Sequence, residues 1–310
     1  MPLYQSGMIG TSVSMIFCNL FMIALRFATS SGRVLSSCFN ADEARAPRLA
    51  FGIGMTVEET PNLEREPGFE PLVPRPDSGR VFVGKRRVRL SDAGSSGRLR
   101  LDAIARYLQD VAGDDVLETE WGSPDHFWLV RRTLIQQLRS IAIEELVELT
   151  TWSSGTASSS ASRRTTLRGE RGGVIEAESV WVHLSRELRP MRFGGNFFDV
   201  YGPSTNGRRT STRLELSDLP ATAEHRPWPL RRSDLDLLGH LNNAAYWEAI
   251  EEVAARNGFD LSAPFEAVLE FRQPIDLEDE VELLYAPQAE GFRLALTASG
   301  SLRASAALRR

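Results

Sequence analysis

A chain of 310 residues with 42% hydrophobic and 25% charged residues is long enough to bury a full core and has room for two modest domains. Its net charge of -5 is too mild to argue for a nucleic-acid partner or an anionic membrane surface. Both cysteines, Cys18 and Cys38, lie near the amino terminus, so the body of the chain holds no thiol nucleophile, disulfide or cysteine metal site.

The four histidines, His126, His183, His225 and His240, have no zinc-protease spacing. There is no nucleophile elbow, P-loop or dinucleotide-binding glycine fingerprint. These absences remove the sequence case for zinc and narrow the field.

Residues 12–25 are strongly apolar, but the run is shorter than the roughly 20 residues that span a bilayer. Basic charge follows it, at Arg26, instead of preceding it as in an export signal. Neither stable membrane insertion nor export is expected, and a cytoplasmic location is. Residues 55–79 have the acidic, proline-rich composition of a flexible leader. We read 1–79 as an amino-terminal extension, flexible or a misassigned start, with translation beginning at Met55.

The main body contains a repeat. Residues 91–112 lie over 233–254 without a gap: Ser91, Asp92, Gly97, Leu99, Ala103, Val111 and Ala112 recur as Ser233, Asp234, Gly239, Leu241, Ala245, Val253 and Ala254. Each copy reads as a polar segment with a glycine, then an amphipathic helix. Leu101, Ile104, Leu108 and Val111 form the first stripe, which Gly113 should end. Tyr246, Ile250, Val253 and Ala254 form the second, and Asn257-Gly258 supplies its stop.

Strand-like runs follow each helix. The first set is Phe127–Leu138, Leu146–Trp152, Ser160–Leu167 and Val174–Leu184. The second is Glu266–Gln273, Val281–Ala286, Phe292–Thr297 and Leu302–Leu308. A helix followed by several antiparallel strands, twice over, predicts an α+β fold in which a sheet wraps around a central helix and the whole is duplicated. Residues 194–224, rich in Gly, Pro, Asn and Thr, read as the linker between units 80–193 and 225–310.

The run RSDLDLLGHLNNAAYWEAIEE at 232–252 resembles the hotdog thioesterase signature. Together with RVRLSDAGSSGRLRLDAIARYLQDVA at 87–112 and ESVWVHLSRELRPMRF at 178–193, it resembles plant and bacterial acyl-ACP thioesterases over about residues 80–310. The resemblance implies a tandem double hotdog that hydrolyses the fatty acyl thioester of acylated acyl carrier protein with no metal and no organic cofactor. It also implies that Asp236 is the nucleophile or general base and that His240 is the family histidine, with Asn242 a weaker carry-over. The sequence departs from the plant pattern at Leu238, where those enzymes have asparagine. It departs again at Phe271 to Ile275, where they carry Glu-Cys after Tyr-Arg-Arg.

The residues themselves suit this chemistry. Thioester hydrolysis needs an activated water or a carboxylate nucleophile, and donors aimed at the developing oxyanion. Gly239 allows close backbone approach, and the N–H groups of Asn242 to Ala245 open a helix. The first copy has Gly94, Arg98 and Arg100 opposite Asp236, His240 and Asn242, and Gln136 opposite Glu270. We therefore expect one active site per chain, in the second unit, with the first unit lending walls to an acyl tunnel and arginines to the acidic carrier protein.

Bland readings compete. Asp234 reads as a helix cap, because Asp92 persists in the copy without chemistry. Asn242 and Asn243 read equally as turn formers. Glu270 reads as a surface residue or a second carboxylate. For the whole protein the alternatives are an acyl-CoA thioesterase, a hotdog enoyl-thioester hydratase or dehydratase, and a non-catalytic acyl-binding protein. A homodimer is left open.

Overall fold

The computed structural model describes residues 68–119, 121 and 126–310. The apolar run at 12–25 and the proposed start at Met55 lie outside the described residues. Within them the elements, in chain order, are β1 (Val81–Arg87), α1 (Leu101–Leu117), β2 (Phe127–Arg139), β3 (Leu146–Thr156), β4 (Ser160–Gly169), β5 (Val174–Leu184) and α2 (Gly195–Tyr201). They continue with β6 (Glu224–Pro227), α3 (Tyr246–Arg256), β7 (Phe265–Phe271), β8 (Val281–Gln288), β9 (Gly291–Ala298) and β10 (Ser301–Arg309).

The strands form one antiparallel sheet in the order β1-β3-β4-β5-β2-β7-β10-β9-β8-β6. Read from either edge the sequence of elements is the same, β6 to β10 standing where β1 to β5 stand. The halves meet at β2 and β7, where Leu134 faces Val268. These two are counterparts under the spacing that relates Ile141 to Ile275, so a pseudo-twofold axis passes between them. The fold is α+β, a duplicated sheet around two central helices.

The repeat holds bond by bond. In the first copy Gly94 N–H donates to Arg98 O at 2.9 Å, Leu99 N–H to Ile141 O at 2.8 Å and Arg100 N–H to Asp92 O at 2.9 Å. In the second, Asp236 N–H donates to His240 O, Leu241 N–H to Ile275 O and Asn242 N–H to Asp234 O, each at 2.8 Å. Gly97 and Gly239 both have positive φ, 77° and 82°, which side-chain-bearing residues adopt only at a cost.

The two helices pack on each other within one core. α3 buries Tyr246, Trp247, Ala249, Ile250, Val253 and Ala254, and each large apolar side chain among these contributes about 1.5–3 kcal/mol. It stops at Asn257-Gly258, where Gly258 has φ 66°.

α1 corrects one expectation. It runs through Gly113 to Leu117, because tertiary contacts outweigh one unfavourable helix residue, worth about 1 kcal/mol. Buried Asp115 in that added turn pairs with Arg80 at 2.6 Å and Arg163 at 2.7 Å.

β1, β6 and α2 had no strong signal in the sequence. β1 and β6 are the two sheet edges, half-exposed and exposed, so neither carries an apolar run. α2 lies in the segment read as a plain connection. Its Phe197 and Tyr201 are buried with Trp121, Ala161 and Phe193 in a second apolar cluster.

Candidate active site

The loop that opens the second unit holds Asp236 rigidly. Its Oδ1 accepts the N–H of Leu238 at 2.8 Å and that of His240 at 3.1 Å. Gly239 N–H closes the turn onto Asp236 O at 3.1 Å. Burial pushes the Asp236 carboxyl above the ordinary aspartate value, and the backbone donors at Leu238 and His240 oppose that shift. A carboxylate held by one oxygen, with its proton affinity raised, is suited to proton transfer.

Asn242 sits on the same loop. Its Oδ1 accepts Ala244 N–H at 2.9 Å, shaping the turn that leads into α3. The three turn residues before Tyr246 are outside the regular helix, so α3 begins later than the sequence suggested. Asp234 caps the preceding 3-10 turn through Arg231 N–H at 2.9 Å, as Asp92 does through Arg89 N–H at 3.1 Å.

Asp236 and Asn242 line a cavity of about 470 Å³, within the size range of small-molecule sites. Most of its wall comes from the first unit. One face of α1 supplies Arg106, Gln109, Asp110, Gly113 and Val116, and β4 and β5 supply Ala161, Arg163 and Trp181. Trp121, Trp128, Phe197 and Tyr201 add an aromatic side, and Arg163 stands 5.7 Å from the Tyr201 ring centre.

His126 also lines the cavity. Its Nδ1 lies 2.9 Å from Nε2 of buried His183, whose Nδ1 lies 3.0 Å from Met191 O. A carbonyl only accepts, so His183 carries its proton on Nδ1 and its Nε2 accepts from His126. Burial holds His183 down to about 4, keeping it neutral.

His240 is not among the residues lining the cavity. Its side chain is 8% exposed and its Nδ1 lies 3.3 Å from Oδ1 of Asp276, while its main chain makes both bonds to Asp236. Glu270 is fully buried and away from the cavity. It accepts the N–H groups of Glu215 at 2.6 Å and Leu216 at 3.2 Å, which makes it the anchor of the inter-unit segment. Among the described residues no group of three or more His, Cys, Asp or Glu side chains is arranged to hold a metal, and no helix is long and apolar enough to cross a membrane.

Residues 79–193 match the family model of the acyl-ACP thioesterase N-terminal domain, and residues 218–306 match that of the C-terminal domain. The chain belongs to the acyl-ACP thioesterase family. An uncharacterized protein of Mycobacterium tuberculosis strain H37Rv is 31% identical over 240 residues, covering 77% of this thioesterase-family chain and 96% of the relative.

Among solved structures, an acyl-ACP thioesterase from Bacteroides thetaiotaomicron superposes with a TM-score of 0.62 at 15% identity, over 74% of this chain and 97% of that one. The 12:0-ACP thioesterase from Umbellularia californica gives 0.61 at 19% identity, over 74% and 96%. These two likenesses establish the double hotdog fold of the family.

The α1 side of the cavity escaped the sequence reading. Arg106, Gln109, Asp110 and Gly113 recur at helical spacing opposite the apolar stripe, which reads as a solvated face until the second unit closes over it.

Proposed function

We propose that this thioesterase-family protein hydrolyses fatty acyl-ACP thioesters to free fatty acid and carrier protein, with Asp236 as the base. The observation that carries the reading is the Asp236 carboxylate: it lines a cavity with an aromatic side, is fixed by two backbone donors, and is raised by burial. Its counterpart in the first unit is Gly94, so the base is present in one unit.

In this mechanism the acyl chain lies along α1. Asp236 takes a proton from water as the water oxygen bonds to the thioester carbonyl carbon, and the carbonyl π pair moves onto oxygen. N–H groups entering α3 stabilise that oxyanion, one donor being worth about 2.7–4 kcal/mol. The pair then returns, the C–S bond breaks, and the thiolate takes the proton from Asp236. Asn242 shapes the entry to the helix, and His240 orients Asp236 through its main chain. The family and the acyl-ACP thioesterases that share the fold support acyl carrier protein as the carrier.

The test is thiol release by the purified full chain from acyl-ACP, acyl-CoA and enoyl-thioester panels. Release from acyl-ACP is expected. Release from acyl-CoA alone would move the substrate, loss of the enoyl group without thiol would make the protein a hydratase, and bound ligand with no turnover would make it an acyl-binding protein.

A further inference from the structure

The pseudo-twofold axis that relates the two units also relates the tips of the two central helices. Under the gapless repeat, Gln109 on α1 is the counterpart of Glu251 on α3, Leu101 of Asn243, and Arg98 of His240. Each helix therefore presents one side chain to the start of the other.

In the first unit that contact is a closed anion site. Glu251 crosses from α3, and its Oε1 accepts the N–H of Leu101 at 2.6 Å. Its Oε2 lies 2.6 Å from the guanidinium of Arg98, which is itself largely buried. A negatively charged oxygen thus already occupies the first backbone donor of α1, and a carboxylate there is favoured by the helix dipole and the free N–H.

The second unit repeats the loop bonds up to Asn242, enters its helix through the turn 243–245, and has different chemistry. Gln109 supplies a neutral carboxamide, and it lines the cavity with Asp236 and Asn242. A small adjoining pocket brings Gln109 and Asn243 together. Within the described residues neither the Gln109 carboxamide nor the Asn243 N–H makes a hydrogen bond. Glu251 shows where an anionic oxygen rests against the counterpart donor, Leu101 N–H, in the first unit.

We propose that Gln109, contributed by the first unit, is a catalytic residue of the second unit's site, its carboxamide NH2 donating to the thioester carbonyl oxygen beside the Asn243 N–H. This rests on the hydrolase reading. As water adds, the negative charge on that oxygen is shared by two donors from different units, and no proton is transferred to either. A glutamate at this position would instead take the Asn243 N–H for itself, as Glu251 takes that of Leu101, and would repel both the oxyanion and Asp236. The neutral amide leaves the donor to the substrate. The first unit is then more than a wall, because the site is incomplete without its helix.

Gln109 is half-exposed, so its replacements should fold, which thermal melting checks. Gln109→Leu is expected to lower kcat roughly 10²-fold, the usual loss for one oxyanion donor, with KM changed less than about threefold. Gln109→Glu should lose at least as much at alkaline pH, and its rate relative to wild type should rise as pH falls and the new carboxyl becomes a neutral donor. A Gln109→Leu rate within about threefold of wild type, or a flat ratio for Gln109→Glu, overturns the assignment.

A second measurement does not depend on turnover. Laurate, a product-like carboxylate, is titrated calorimetrically into Asp236→Asn chains with and without Gln109→Glu, and the added charge should weaken binding more than about tenfold, or 1.4 kcal/mol. Unchanged affinity overturns the assignment. If wild type turns nothing over yet this difference appears, the hydrolase reading falls and Gln109 stands as an anion contact. If wild type neither turns over nor binds laurate, both fall.

Discussion

Gly94 and Asp236 occupy the same position in two copies of one loop: each donates its N–H to the carbonyl four residues on, Arg98 at 2.9 Å and His240 at 2.8 Å. The backbone is shared and the carboxylate is not. This separates the part of the loop that serves folding from the part that serves chemistry, and it makes Asp236 the first residue to test.

Asp236→Asn should lower kcat roughly 10³-fold, the loss typical of a general base, without harming the fold. The asparagine oxygen can still accept the N–H groups of Leu238 and His240. Because burial raises the wild-type carboxyl, the folded chain holds that proton to higher pH than the unfolded chain does, and the charged form costs stability above that range. The variant should therefore melt no earlier than wild type at neutral pH. An early-melting variant would contradict this account.

The same shift sets the acid limb of the rate profile. The base must be unprotonated, so kcat/KM should fall as pH drops through a value above that of an ordinary aspartate. A limb at or below the ordinary value would remove burial as the controlling influence.

Glu270 predicts the opposite phenotype. With its partners at Glu215 and Leu216 left unpaired, Glu270→Ala should cost roughly 3 kcal/mol of stability, read by chemical denaturation. Its kcat, measured well below the melting range, should stay within about twofold, since it does not line the cavity. A large loss of kcat in a stable Glu270→Ala chain would return Glu270 to the site.

Breaking the Arg98–Glu251 pair should also act on stability. Glu251→Ala strands a guanidinium whose side chain is 8% exposed, and removing one partner of a buried pair costs about 3 kcal/mol. Arg98→Ala with Glu251→Ala in one chain should be less than additive. Full additivity in a double-mutant cycle would show that the two do not interact.

His183 should make the fold acid-sensitive. Its folded value is pushed down to about 4 from 6.5 by burial, so between those values the unfolded chain takes up a proton that the folded one refuses. Stability contributed by the neutral ring is present above 6.5 and is lost as pH falls toward 4. Melting temperatures of wild type and His183→Asn should converge as pH falls through that window. A constant difference would exclude His183 as the cause.

Much of this was legible in the residues alone. The stripe Tyr246, Ile250, Val253 and Ala254 has a period that only a helix buries, and Gly97 and Gly239 recur at one place in both copies. The loss of Asp, His and Asn from the first copy is read from the residues too, and it motivates the proposal of one site per chain. The helix period is a local signal, so sequence carries it in full.

Tertiary structure decided the rest. β1 and β6 hydrogen-bond along sheet edges, the first half-exposed and the second exposed, which leaves little apolar pattern to read. Glu270 looked like a surface or site carboxylate because nothing in the strand announces two backbone donors arriving from Glu215 and Leu216. Gln109 is a polar residue on the solvated-looking side of α1, and it becomes part of a cavity only when the pseudo-twofold axis brings α3 against it. Periodicity and turn chemistry are properties of neighbours along the chain, whereas a site built between two units depends on which surfaces meet, and that is set by packing the whole sheet.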